Sequence, residues 1–182
     1  MVGKQVTLKT ILAGDGGVGK TSLVKVFMRE KFSSDYKITV GVDVSSKSIK
    51  IDKDTVIFSV NDVAGQERFE VMRSLFFKGA VLALLVFDLT RKESLTSLRK
   101  QWIAPLIETN PNGVHAILIG NKSDLEDLRV ISEEDGNRFS ELLSQAYPTL
   151  FLHDYIETSA KENVNVDECF TRLAEAYLST LI

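Results

Sequence analysis

A three-layer α/β domain is the fold this sequence predicts, with helices on both faces of a mostly parallel six-stranded sheet and one antiparallel edge strand. Three observations predict it. Short apolar, β-branched runs alternate with longer segments of helical period. Two of those runs, Val81–Phe87 and Val114–Ile119, are apolar without interruption, as strands covered on both faces require. One segment, Val42–Asp52, instead alternates apolar with polar residues and closes on its neighbour through a tight turn. At 182 residues the chain is sized for one domain over 1–182.

The elements follow in order. Val6–Ala13 is the first strand, then a glycine-rich loop, then a helical stretch from Ser22 to Glu30. In Val42–Asp52, Val42, Val44, Ile49 and Ile51 alternate with Asp43, Ser46, Lys50 and Asp52. A turn at Asp52-Lys53-Asp54 folds this strand back onto Thr55–Val60. Leu95, Leu98, Trp102, Leu106 and Ile107 trace one helical stripe. Phe139, Leu142, Leu143, Ala146 and Tyr147 trace another, which Pro148 ends. Its acidic start, Glu133-Glu134-Asp135, suits a helix N-terminus. A sixth strand leads to Thr158, and Val166, Cys169, Phe170, Leu173, Ala174, Tyr177, Leu178 and Leu181 line one face of a last helix.

Composition narrows the function. Hydrophobic residues are 44% and charged residues 26% of the chain, ordinary for a globular core, and the net charge of -3 offers no overall basic field to nucleic acid. The single cysteine permits no intramolecular disulfide, so a reducing, cytoplasmic setting is expected. The apolar runs are strand-sized, too short to cross a bilayer. Leu178 to Ile182 contain no cysteine for prenylation, so membrane association is expected only through a tail or partner outside this chain. Cys169 and Trp102 are read as packed core. His115 is placed in a strand and His153 in a loop, with no metal-ligand spacing between them.

The loop Gly14-Asp15-Gly16-Gly17-Val18-Gly19-Lys20-Thr21 matches G-x-x-x-x-G-K-[ST] between a strand and the helix that Ser22 opens, the context the motif requires. By chance such a string arises in about one chain in a hundred of this length. Glycines let successive backbone N–H groups converge on phosphate oxygens, and the helix N-terminus adds partial positive charge. Lys20 supplies a full charge to the β- and γ-phosphates, and the Thr21 hydroxyl is the candidate Mg²⁺ ligand. The chain is thereby expected to be a P-loop NTPase.

Asp62, beyond the strand Thr55–Val60, is a second candidate for Mg²⁺. Gly65 can bring its N–H against a γ-phosphate, and Gln66 can orient an attacking water because its amide both donates and accepts. Asp-x-x-Gly is common by itself; its order and spacing after the phosphate loop give it weight. Asn121-Lys122-Ser123-Asp124 follows the buried strand Val114–Ile119. A carboxylate at Asp124 can accept from both N1–H and the 2-amino group of guanine, neither of which adenine offers. The Lys122 stem can pack over the ring, Asn121 can tie the segment to the phosphate loop, and Ser159, Ala160 and Lys161 can approach the O6 edge.

With these motifs in place, the sequence resembles the Ras superfamily of small GTPases along nearly its whole length. Thr39-Val40-Gly41-Val42-Asp43, Gln66-Glu67-Arg68-Phe69 and Phe76-Phe77-Lys78-Gly79-Ala80 most resemble its Rab branch. The resemblance implies a G domain with switch I at Tyr36 to Gly41 and switch II from Ala64 to about Leu75. It places Phe32 edge-on to the base, Tyr36 and Thr39 at the nucleotide, and Thr39 on Mg²⁺ and in catalysis beside Lys20 and Gln66. It further implies GTP and GDP as bound nucleotides, and effectors, an exchange factor and a GTPase-activating protein acting through residues 36–41 and 64–75. The expected activity is slow GTP hydrolysis by a monomeric switch in membrane traffic or related signalling. The alternatives are a GTP-binding interaction domain with little or no hydrolysis and a P-loop kinase, which would not need Asn121 to Asp124.

Three features depart from the Rab pattern. Asn61 stands where tryptophan is usual, Val44 where phenylalanine is usual, and the stretch from Asp124 to Ser159 is longer, adding Ser144 to Tyr155 as a helix end and loop. No arginine is expected at the phosphates in cis.

Overall fold

The computed structural model describes residues 3–30, 41–63 and 70–181. The strands are β1 (Gln5–Ala13), β2 (Val42–Ile51), β3 (Asp54–Val63), β4 (Leu82–Asp88), β5 (Val114–Asn121) and β6 (Leu150–Thr158). They form one six-stranded sheet in the order β2-β3-β1-β4-β5-β6. The β2–β3 pair is antiparallel, with Ile51 opposite Asp54 across the Asp52-Lys53 turn; all other pairs are parallel. Asp52, at φ 52, takes the left-handed conformation the short turn needs. The expected sheet is therefore present, its antiparallel strand at the edge.

The uninterrupted apolar runs are explained by the two layers covering them. Leu82, Leu84 and Val86 of β4 point into a core with α1 (Lys20–Phe27) and α6 (Val166–Ser179). Ala83, Leu85 and Phe87 point the other way, against α2 (Glu70–Phe77), the helical region 92–108 and α5 (Glu133–Ala146). Each alternate side chain thus meets a helix, and every residue of β4 is buried. In the first core Phe27 stacks on Phe170 with ring centres 3.7 Å apart, and Phe58 meets both edge-on.

The stripe from Leu95 to Ile107 is not one regular helix. It divides into α3 (Lys92–Ser97), a π-helical segment (Leu98–Ile103) and α4 (Ala104–Glu108), while Leu98, Trp102 and Leu106 remain fully buried. The first helix also differs, starting at Lys20 rather than Ser22 and ending at Phe27.

The extra length before Ser159 corrects the expected loop. α5 runs to Ala146 and β6 begins at Leu150, so most of Ser144 to Tyr155 is regular structure. Ser132 and Asp135 form a reciprocal capping box at the start of α5. Gly136 lets the helix lie against Tyr155, whose ring atoms would stand 2.2 Å from a Cβ there. β6 carries a bulge: Ala116 pairs with Leu152 but Ile117 with Asp154, leaving His153 as the extra residue. The bulge lets Leu152 and Tyr155, three residues apart, pack on the same side. It also corrects the placement of His153, which lies on a strand with its Nε2 2.8 Å from Nδ1 of His115.

Candidate functional site

The chain reverses its direction of travel across the sheet at β1, which has β3 on one side and β4 on the other. A crevice opens outside the carboxyl ends of the strands at such a switch point. The described residues among those singled out above gather there, joined by Asp88. The phosphate loop follows β1, Asp62 is near the end of β3, Asp88 ends β4, Asn121 ends β5 and Ser159 follows β6.

The loop's glycines answer to close approaches. A Cβ at Gly14 would stand 2.1 Å from the Val86 carbonyl oxygen, and one at Gly19 2.2 Å from the Asn121 side-chain nitrogen. Both have positive φ, 151 and 101. Inside the loop, Lys20 is 6% exposed and its ammonium donates to the carbonyls of Gly14 at 2.6 Å and Asp15 at 2.9 Å. Burial pushes it down to about 8, against the opposing pull of the Asp62 and Asp15 carboxylates. A phosphate beside it would raise it again.

The Thr21 hydroxyl donates to Asp62 Oδ2, while Oδ1 of the same carboxylate is buried with no hydrogen-bond partner among the described residues. Burial holds the Asp62 carboxyl above its usual range despite the Thr21 hydroxyl and the nearby Lys20. A hydroxyl and an orphaned carboxylate oxygen side by side are hard oxygen donors that fit Mg²⁺.

Asn121 joins three segments. Its Nδ2 donates to the Val18 carbonyl at 2.9 Å and its Oδ1 accepts from Thr158 Oγ1 at 3.0 Å. Sequence reading expected the tie to the phosphate loop, and it is present. Asp124 accepts from Ser159 Oγ at 2.6 Å, with the Lys161 ammonium 3.9 Å away. Ala160, buried, follows Ser159 in this cluster. Lys122, at φ 69, pairs with Asp88 at 2.6 Å. Burial alone would raise Asp88, but Lys122 and both hydrogen bonds from Thr90 outweigh it and hold the carboxyl low.

Sequence reading missed Asp88, whose only signal is an acid ending an apolar strand. It also missed two arginines. Arg91 donates to the Gly16 carbonyl at 2.9 Å, bringing a cation of this chain to the phosphate loop where none was expected. Arg73, 1% exposed on α2, is close enough to oppose the charge on Lys20. The Asp15 side chain turns aside, its Oδ1 accepting from Ser97 Oγ and Trp102 Nε1. The candidates Phe32, Tyr36, Thr39, Gly65 and Gln66 lie outside the described residues.

A glycine loop at a strand–helix junction, a buried lysine inside it, a hydroxyl–carboxylate pair and a separate carboxylate held by Ser159 define a P-loop nucleotide-binding protein. The family comparison makes this more specific. The Ras family model matches residues 9–179, and the chain belongs to that family of small GTPases. It is 39% identical to the Ras-related protein RGP2 of Oryza sativa subsp. japonica over 170 residues, 93% of this chain and 74% of that one. It is 38% identical to the Ras-related protein Rab11B of Nicotiana tabacum over the same shares. Against the Ras-related protein RABA1i of Arabidopsis thaliana the figures are 40%, with 91% of this chain and 72% of that one covered. The protein is accordingly a GTP-binding GTPase. None of its described helices is long and apolar enough to cross a membrane.

Proposed function

We propose that this GTPase is a Mg²⁺-dependent switch in membrane traffic, hydrolysing GTP slowly and waiting on a partner protein for speed. The observation that carries the reading is the meeting of the two halves of the site: Asn121 bonds Val18 of the phosphate loop while Asp124, three residues on, is held by Ser159. Base reading and phosphate binding are thereby locked in one rigid frame.

Lys20 carries charge to the β- and γ-phosphates, and the loop's N–H groups surround them. Thr21 and Asp62, joined by Thr39 from switch I, hold the Mg²⁺, which when bound neutralises charge on the phosphate oxygens. Asp124 selects guanine, Lys122 covers its face, and Ser159, Ala160 and Lys161 close the far edge. Phe32 and Tyr36 flank the nucleotide, Gly65 donates to the γ-phosphate and Gln66 orients the attacking water. Effectors, an exchange factor and a GTPase-activating protein act through residues 36–41 and 64–75. The traffic role is supported by the Rab names of the relatives.

The test starts with the nucleotide released on denaturing the purified protein, expected to be GDP or GTP. Single-turnover hydrolysis should then run on the order of 10⁻⁴ to 10⁻² s⁻¹ without a partner. Gln66→Leu keeps the size of the side chain but loses both hydrogen-bonding functions, so it should hold the GTP state with affinity changed by no more than a few-fold. Hydrolysis by Gln66→Leu as fast as the parent's would remove Gln66 from the mechanism.

A further inference from the structure

Three elements converge on Trp102. Its Nε1–H donates to Asp15 Oδ1 at 2.8 Å, the same oxygen that accepts from Ser97 Oγ at 2.6 Å. The guanidinium of Arg73, from α2, lies 3.8 Å from the indole centre, and the Lys20 ammonium lies 5.5 Å from it. Trp102 is fully buried and Arg73 1% exposed. Arg73 Nη1 also lies 3.4 Å from the Gln101 carbonyl oxygen.

The π-helical segment makes this possible. In an α-helix residues five apart point about 140° away from each other. A π turn bonds residue i to i+5 and so stacks them. Across Leu98–Ile103 this brings Ser97 and Trp102 to the same side, where both reach one carboxylate oxygen.

Asp15 places a carboxylate in the loop that must wrap an anion. Left to turn inward, that charge would oppose phosphate, and oppose a triphosphate more than a diphosphate. We propose that Trp102 and Ser97 are positioning residues that hold the Asp15 carboxylate away from the phosphates, with Arg73 strengthening the indole's grip. A cation on the ring face draws electron density from the indole and makes its N–H a better donor to a carboxylate. The clamp therefore favours the triphosphate state, and α2, through Arg73, tunes it. By linkage, whatever lifts Arg73 off the indole shifts the same preference.

This inference rests on guanine-nucleotide binding and is tested separately from it. Fluorescent GDP and a non-hydrolysable GTP analogue are titrated into the full chain with Mg²⁺ present. Trp102→Phe keeps the ring stacked but removes the N–H, and Ser97→Ala removes one hydroxyl with little risk to folding. Both should weaken the GTP analogue more than GDP, by about fivefold or more in the ratio. Arg73→Met should move the ratio the same way to a smaller extent, and Arg73→Lys, which keeps a cation on the ring, should restore much of it. The decisive arm is Asp15→Asn: combined with Trp102→Phe or Ser97→Ala it removes the charge the clamp restrains and should bring the ratio back to the parent's. A ratio unmoved by Ser97→Ala and Trp102→Phe, or moved but not restored by Asp15→Asn, overturns the clamp. A parent protein that binds neither nucleotide overturns the underlying reading instead.

Discussion

Asp124 holds one carboxylate oxygen on the Ser159 hydroxyl and has the Lys161 ammonium 3.9 Å from the other. The Ser159 hydrogen bond orients the carboxylate, so in the proposed function the group is aimed before a base arrives. Asp124→Asn should weaken GTP binding by more than ~2 kcal/mol, since a charge-assisted pair of hydrogen bonds is lost. It should also turn preference toward xanthine nucleotides, whose 2-oxo group suits an amide donor. Competition titration checks both, and unchanged GTP affinity would take Asp124 out of the base pocket. Asp124, Asn121 and Lys20 were legible in the sequence because each sits in a short motif tied to a strand end. Arg91 and Asp88 were not. Arg91 acquires its meaning only by reaching Gly16, 75 residues earlier in the chain, and Asp88 by pairing with Lys122. No local spacing encodes contacts of that reach.

Among the elements, β6 has the most instructive geometry. Its bulge turns His153 toward His115, and the pair is bordered by Phe151 and by the ring of Tyr177 from α6. Burial holds both imidazoles below their ordinary value, and for His115 the neighbouring His153 adds to this. Below about pH 6.5 the unfolded chain then binds more protons here than the folded one, so stability falls as the solution is acidified. The melting temperature of the nucleotide-loaded protein should drop between about pH 7.5 and 5.5, and His153→Gln should flatten part of that slope. An unchanged slope would show that the pair contributes nothing. A bulge is invisible to a period-two reading, which is why His153 was assigned to a loop. The π-helical segment escaped for a related reason: Leu98, Trp102 and Leu106 keep a four-residue rhythm that an ordinary helix also produces.

Across the whole molecule, the nucleotide site stores unmet polar demand. A buried ammonium pushed down to about 8 and a buried carboxylate oxygen without a described partner face the same crevice. Ligands that meet that demand bind the folded state alone, and at a thousandfold excess over Kd contribute about 4 kcal/mol. For a chain of this size the corresponding shift in melting temperature is roughly 8 to 16 °C. Stripping nucleotide with a chelator and phosphatase should lower the melting temperature by that order. A shift within error would mean that the crevice binds no nucleotide tightly. The sheet's parallel, two-sided character was the most legible property of all, because alternate residues of β4 must satisfy two helix layers at once and so leave an unbroken apolar run.

The chain's single cysteine, Cys169, is 1% exposed on the inner face of α6, and burial lifts its thiol to about 12. Thiolate is therefore scarce at neutral pH, and the group is shielded from reagents as well. This chain behaves as its own cysteine-free background. A cysteine introduced at an exposed position such as Ser48 on β2 would be the one site a maleimide dye finds, so distances across the molecule could be measured without first removing a core residue.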